Sequence, residues 1–157
     1  MYEIKPSINQ IKKTISTLEK ANKPLIIIGG GDWNNKGAKD LVYFANANDI
    51  PFAVSFRRQS LVNNLNKNYI GDLSTSVDPI LTDYVKESDV ILTVGARMGE
   101  ITTAGYTTIN TKEKNKIIHV YPDKSELGKV FKTILSIHSH SNNFSIAIKN
   151  KLLNNIN

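Results

Sequence analysis

Apolar positions follow two patterns along this chain. Ile8, Ile11, Ile15 and Leu18 recur every three or four residues, which predicts an amphipathic helix. Ser7 and Gln10 sit at capping-box spacing ahead of it, and the helix is expected to end near Ala21-Asn22, before Pro24. The second pattern is a run without alternation, Leu25-Ile26-Ile27-Ile28 after Pro24. Such a run predicts a strand buried on both faces, as in a parallel sheet. Gly29-Gly30-Gly31 follows directly, and a helical period resumes from Asn35 with Ala38, Leu41, Val42 and Ala45. Strand, glycine turn and helix open a βαβ unit, whose turn lets a phosphate approach the backbone and the helix N-terminus.

The alternation continues. The second helix is expected to end near Asn48-Asp49, and Pro51 opens a strand over Phe52–Phe56. Arg57 to Tyr69 reads as a loop with a short turn and a small strand around Leu61-Val62; Tyr69-Ile70-Gly71-Asp72 leads into another loop. Asp78 and Pro79 form a helix start, with Ile80, Leu81, Tyr84 and Val85 as its apolar face. Asp89–Val94 and Ile117–Val120 are further buried strands, and Met98–Asn110 between them is a loop with a helical turn. One helical turn over Ser125–Lys129, a strand over Thr133–Ile137 and a helix carrying Phe144, Ile148 and Leu152 complete the chain. Helices alternating with buried strands predict an α/β fold: a Rossmann-like open parallel sheet, helices on both faces, right-handed crossovers and the glycine strand at the centre. Residues 1–157 read as a single domain, with Met1 to Pro6 as an entry linker.

Bulk properties narrow the function. The 157 residues suffice for one real core, and no apolar run is long enough to span a bilayer. With no cysteine, neither a disulfide framework nor a thiolate site is possible. No secretory h-region follows Met1, so a cytoplasmic location is expected. The net charge of +6 raises nucleic-acid binding, but the lysines are scattered and not interleaved with aromatics, so neither nucleic acid nor membrane is expected as a partner.

The glycine turn is an incomplete dinucleotide fingerprint. Gly29 and Gly31 fit, Asn34 stands at the last glycine position, and the next strand ends in Arg57-Arg58 rather than a carboxylate. An ordinary NAD site is not expected; a tight strand-to-helix turn without ligand is the plain alternative. Arg97, two residues after Gly95 at a strand end, is an anion candidate, with Glu100 or Asp123 as competing ion-pair partners. Arg57 and Arg58 either clamp a phosphate or stand in solvent. His119 reads as a satisfied core or crevice histidine, and His138 and His140 as solvated residues at a strand end. No G-x-S-x-G elbow and no catalytic or metal constellation is apparent.

Three stretches in order carry a resemblance: Lys23–Gly31, Ser88–Arg97, and Ile118–Asp123 with Glu126–Lys129. Together they resemble the central domain of thiamine-diphosphate-dependent enzymes, acetolactate synthase-like branch, over roughly residues 4 to 153. The resemblance implies a fold of the DHS-like NAD/FAD-binding domain type. It also implies a three-domain, homo-oligomeric parent whose flanking domains hold thiamine diphosphate, magnesium and the catalytic glutamate. The isolated chain is then expected to be inactive. In flavin-containing members this domain holds FAD. Carried over, the cofactor-binding positions are Gly29, Gly30, Gly31, Gly95, Arg97 and Asp123. Arg57 and Tyr121 join them from the strand-end reading, Tyr121 as a ring face for adenine or isoalloxazine. The sequence departs from the flavin pattern at Tyr121, at a missing histidine after Gly71, and at His138-Ser139. No cofactor is therefore firmly expected on the chain, FAD and ADP being the candidates. The other function class is an independent adenine-nucleotide or CoA-binding module.

Overall fold

The computed structural model describes residues 3–154. Met1, Tyr2 and residues 155–157, the outermost parts of the expected domain and entry linker, lie outside the described residues. Six parallel strands form one sheet: β1 (Pro24–Ile28), β2 (Phe52–Ser55), β3 (Tyr69–Leu73), β4 (Val90–Val94), β5 (Lys116–Tyr121) and β6 (Leu135–His138). Their order is β3-β2-β1-β4-β5-β6. This is the doubly wound Rossmann order, with the glycine strand central, as the sequence predicts. Ile28 pairs with Val94, so β1 and β4 end side by side while the chain leaves them in opposite directions.

Four helices cover the sheet: α1 (Ile8–Glu19), α2 (Asn35–Ala47), α3 (Pro79–Glu87) and α4 (Ser141–Ile148). The unalternating strand runs are explained by two cores. Ile26, Ile28, Leu92, Val94, Ile118 and Val120 pack on one face with residues of α1, α2 and α4. Leu25, Ile27, Ile91 and Ile117 pack on the other with Leu81 and Val85 of α3, Met98 and Ile109. Leu25 to Ile28 are fully buried, each contributing about 1.5–3 kcal/mol of hydrophobic stabilisation.

Local signals fix several element starts. The Ser7–Gln10 capping box is formed, and Asp78 caps α3 ahead of Pro79. Asp89 accepts from the amides of Asn22 and Lys23 at 2.7 and 2.9 Å, which ties the entry of β1 to that of β4.

The structure corrects five readings. The segment Tyr69–Asp72 is an edge strand rather than the approach to a loop, and a 3-10 turn at Gln59–Leu61 replaces the small strand expected at Leu61-Val62. The last strand starts at Leu135: the Ile134 amide already donates to the Ile117 carbonyl of β5 at 2.9 Å, but Thr133 and Ile134 lie outside the paired register. Helix α4 stops at Ile148, leaving Leu152 exposed beyond it. Ile8 and Ile80 are 77% and 79% exposed: each lies in the first turn of its helix, and Ile11 and Leu81 carry the buried face in their place.

Candidate functional site

At the carboxyl edge of the sheet, the turns after β1 and β4 are pressed together. Gly30 has φ +79° and Gly95 φ +77°, conformations that favour glycine. A Cβ on Gly30 would run into the carbonyl oxygen of Gly95, and one on Gly29 into the Ser55 side chain. Gly30 is therefore required by backbone approach and Gly29 by the Ser55 side chain, while Gly31 has room for a Cβ. Trp33 fills the space behind the triplet, donating from Nε1 to the Gly29 carbonyl at 2.7 Å.

The N-terminus of α2 is occupied from within the chain. Asn34 Oδ1 accepts from the amides of Lys36 and Gly37 at 3.1 and 2.8 Å. Asp32 crosses to α4, accepting from the Ser141 amide at 2.9 Å and facing His140 Nδ1 at 3.1 Å. The expectation of solvated histidines is thus corrected. His140 pairs with Asp32, and His138 Nε2 contacts the Pro122 carbonyl at 3.0 Å. The amides of Gly30 and Gly31 make no hydrogen bond to any described residue.

Above these amides lies a cleft of about 440 Å³, within the roughly 300–1,000 Å³ usual for small-molecule sites. Gly30, Ser55 and Arg58 line one side, and Ala96, Arg97 and Met98 the other. The Arg58 guanidinium lies 3.7 Å from where a Cβ on Gly31 would stand. Met98 closes the turn with φ +58°, an unusual conformation for a bulky residue, held by burial of its side chain. Free amides beside two guanidiniums suit an anion.

The expected site residues divide. Gly30 and Arg97 line the cleft, Gly31 lies beside Arg58, and Gly29 and Gly95 are buried and outside its lining. Arg57 takes φ +59° and turns its guanidinium over the Phe56 ring, 4.9 Å from the centroid, so its neighbour Arg58 faces the cleft instead. Arg97 Nε donates to the Tyr121 hydroxyl at 2.9 Å, and the competing ion pair with Glu100 or Asp123 is not formed. The Tyr121 ring also packs against His119 at 5.8 Å. Asp123 stands away from the cleft lining and accepts from Ser125, whose hydroxyl and amide hold the carboxyl below its ordinary value. His119 is buried as expected, with Nε2 2.8 Å from the Ala96 carbonyl; burial lowers its pKa. Among the described residues, no group of three or more histidines and carboxylates is placed to hold a metal.

The sequence offers Arg57 and Arg58 as a pair without choosing between them, and it gives no sign of Asp32. Nothing in the local sequence marks Asp32, since its partners are more than a hundred residues away.

Sheet order, switch point and glycine turn define a doubly wound domain of the nucleotide-binding type. The chain belongs to the thiamine pyrophosphate enzyme central-domain family, whose model matches residues 11–147. It is 27% identical to the acetolactate synthase large subunit of Haemophilus influenzae over 146 residues, which is 88% of this chain and 24% of that protein. The acetolactate synthase large subunit of Cyanidium caldarium is 27% identical over 124 residues, 79% of this chain and 21% of its own. The 3D-(3,5/4)-trihydroxycyclohexane-1,2-dione hydrolase of Geobacillus thermodenitrificans is 25% identical over 108 residues, 69% of this chain and 17% of its own. The chain thus spans about a quarter or less of the length of these relatives.

Proposed function

We propose that this chain serves as the central domain of a thiamine-diphosphate- and magnesium-dependent enzyme, an acetolactate synthase-like carboligase or decarboxylase, and has no turnover of its own. The observation that carries this reading is the family match over residues 11–147, on a sheet ordered about the glycine strand. Thiamine diphosphate supplies a stabilised carbanion for such chemistry, and flanking domains of the parent would hold it with magnesium. The role of this chain is to hold those domains in place, within a cytoplasmic homo-oligomer. The intact mass of the natural gene product tests the reading. A polypeptide several times longer, continuing on both sides, is expected; a product of 17.5 kDa would contradict it.

A second reading concerns the cleft, and the free Gly30 and Gly31 amides beside Arg58 and Arg97 favour it. The cleft would take the phosphates of an adenine nucleotide, ADP or FAD. Because Asn34 already caps α2, the helix N-terminus adds little to that binding. An independent adenine-nucleotide or CoA-binding module would use the same groups.

A further inference from the structure

We infer that the groove between α1 and α4 seats an apolar element with an acidic rim, contributed by a flanking domain of the same polypeptide. The inference rests on the reading of this chain as the middle part of a longer enzyme. The groove, about 340 Å³, is lined by Pro6, Ile8, Ile11, Ile15 and Ala147, with Lys12 and Lys151 among its polar residues. Its origin is legible in α1. The stripe Ile8–Ile11–Ile15–Leu18 is wider than the sheet can cover: Leu18 and Ile11 are buried, Ile15 only partly, and Ile8 is 77% exposed. Apolar surface grouped in this way marks an interaction site more than scattered exposure does.

The path of the chain identifies the occupant. Its entry is pinned beside α4, where the Ile4 carbonyl accepts from the His140 amide at 3.0 Å and from Asn143 Nδ2 at 3.1 Å. Its exit is pinned beside α1 and α2, where Leu153 and Asn154 donate to Asn48 Oδ1 at 2.8 Å and Glu19 Oε1 at 3.0 Å. Pro6 and Lys151, close to those pinned ends, line the groove, so polypeptide attached at either end starts beside it. In the relatives, the matched part is 17% to 24% of the length. Of the charged residues lining the groove, Lys12 and Lys151 make no ion pair with any described residue, while Glu19 Oε1 already accepts from the Asn154 amide, so the rim is net basic and suits carboxylates.

The chain has no cysteine, so Ile8→Cys introduces one thiol into it, and Leu65→Cys, at a position 93% exposed away from the groove, supplies a control. Alkylation at each site is read by peptide mass spectrometry, in the natural gene product and in the 157-residue chain. In the longer protein, residue 8 is expected to react at least about tenfold more slowly than residue 65, with comparable rates in the 157-residue chain. Adding K12E and K151E should restore reactivity at residue 8. Equal rates in the longer protein would overturn the inference while leaving the family role intact. Concentration-dependent protection in the 157-residue chain would overturn it by assigning the groove to a second copy. Protection that survives K12E and K151E would overturn the acidic rim. A natural product no longer than this chain would overturn both the inference and the reading beneath it.

Discussion

The carbonyl oxygen of Gly95 occupies the place that a side chain on Gly30 would need. One turn ends β1 and the other ends β4, so this single approach sets the spacing of the two strand ends at the switch point.

Gly30→Val is accordingly expected to cost about 2–4 kcal/mol, from the left-handed φ and the displaced Gly95 turn. Urea titration or thermal melting measures it. A variant that melts within a few degrees of the parent would show that the turn relaxes freely.

The Asp32 carboxylate caps α4 across the glycine loop, and Asp32→Ala should cost about 1 kcal/mol. Asp32→Asn keeps an acceptor for the Ser141 amide and should recover most of that loss. Equal destabilisation by both variants would indicate that the His140 pairing, rather than the cap, holds the loop.

These two positions also show how far the sequence could be read. The unbroken runs of β1, β4 and β5 announce a parallel sheet because strands buried on both faces need no polar side. Edge strand β3, Tyr-Ile-Gly-Asp-Leu, carries no such signal: four of its five residues are partly exposed, and it pairs with a strand on one side only, β2. Gly30 was legible as a strained turn. The choice between Arg57 and Arg58 was not, since a positive φ at an arginine decides it. Asp32 and Trp33 act through long-range or through-loop contacts that periodicity does not encode.

His119 should make stability pH-dependent. Its pKa is lowered by burial, with the Ala96 carbonyl partly opposing, so the unfolded chain binds the proton more readily. The stability from keeping the ring neutral is complete above about pH 6.5 and is lost as pH falls below it, by at most about 1.4 kcal/mol per unit. Denaturant titrations between pH 7.5 and 5 should show a shallower decline in His119→Gln. Identical slopes in the two proteins would contradict the buried-neutral assignment.

In the cleft, Asn34 withholds the α2 amides while Gly30, Gly31, Arg58 and Arg97 stay available. The purified chain is expected to be colourless and to bind ADP or FAD with Kd above roughly 10 μM, less than about 7 kcal/mol. Calorimetric titration should find any such binding lost in Arg58→Ala and in Arg97→Ala, and retained in Arg57→Ala. Tight binding, or a yellow protein with flavin absorbance, would show that the cleft is a complete cofactor site.

Incubating the purified 157-residue chain with pyruvate, thiamine diphosphate and magnesium, and following pyruvate loss, tests most directly whether this domain depends on others for chemistry. The account predicts no consumption above the protein-free control. Sustained turnover proportional to the amount of chain would contradict it.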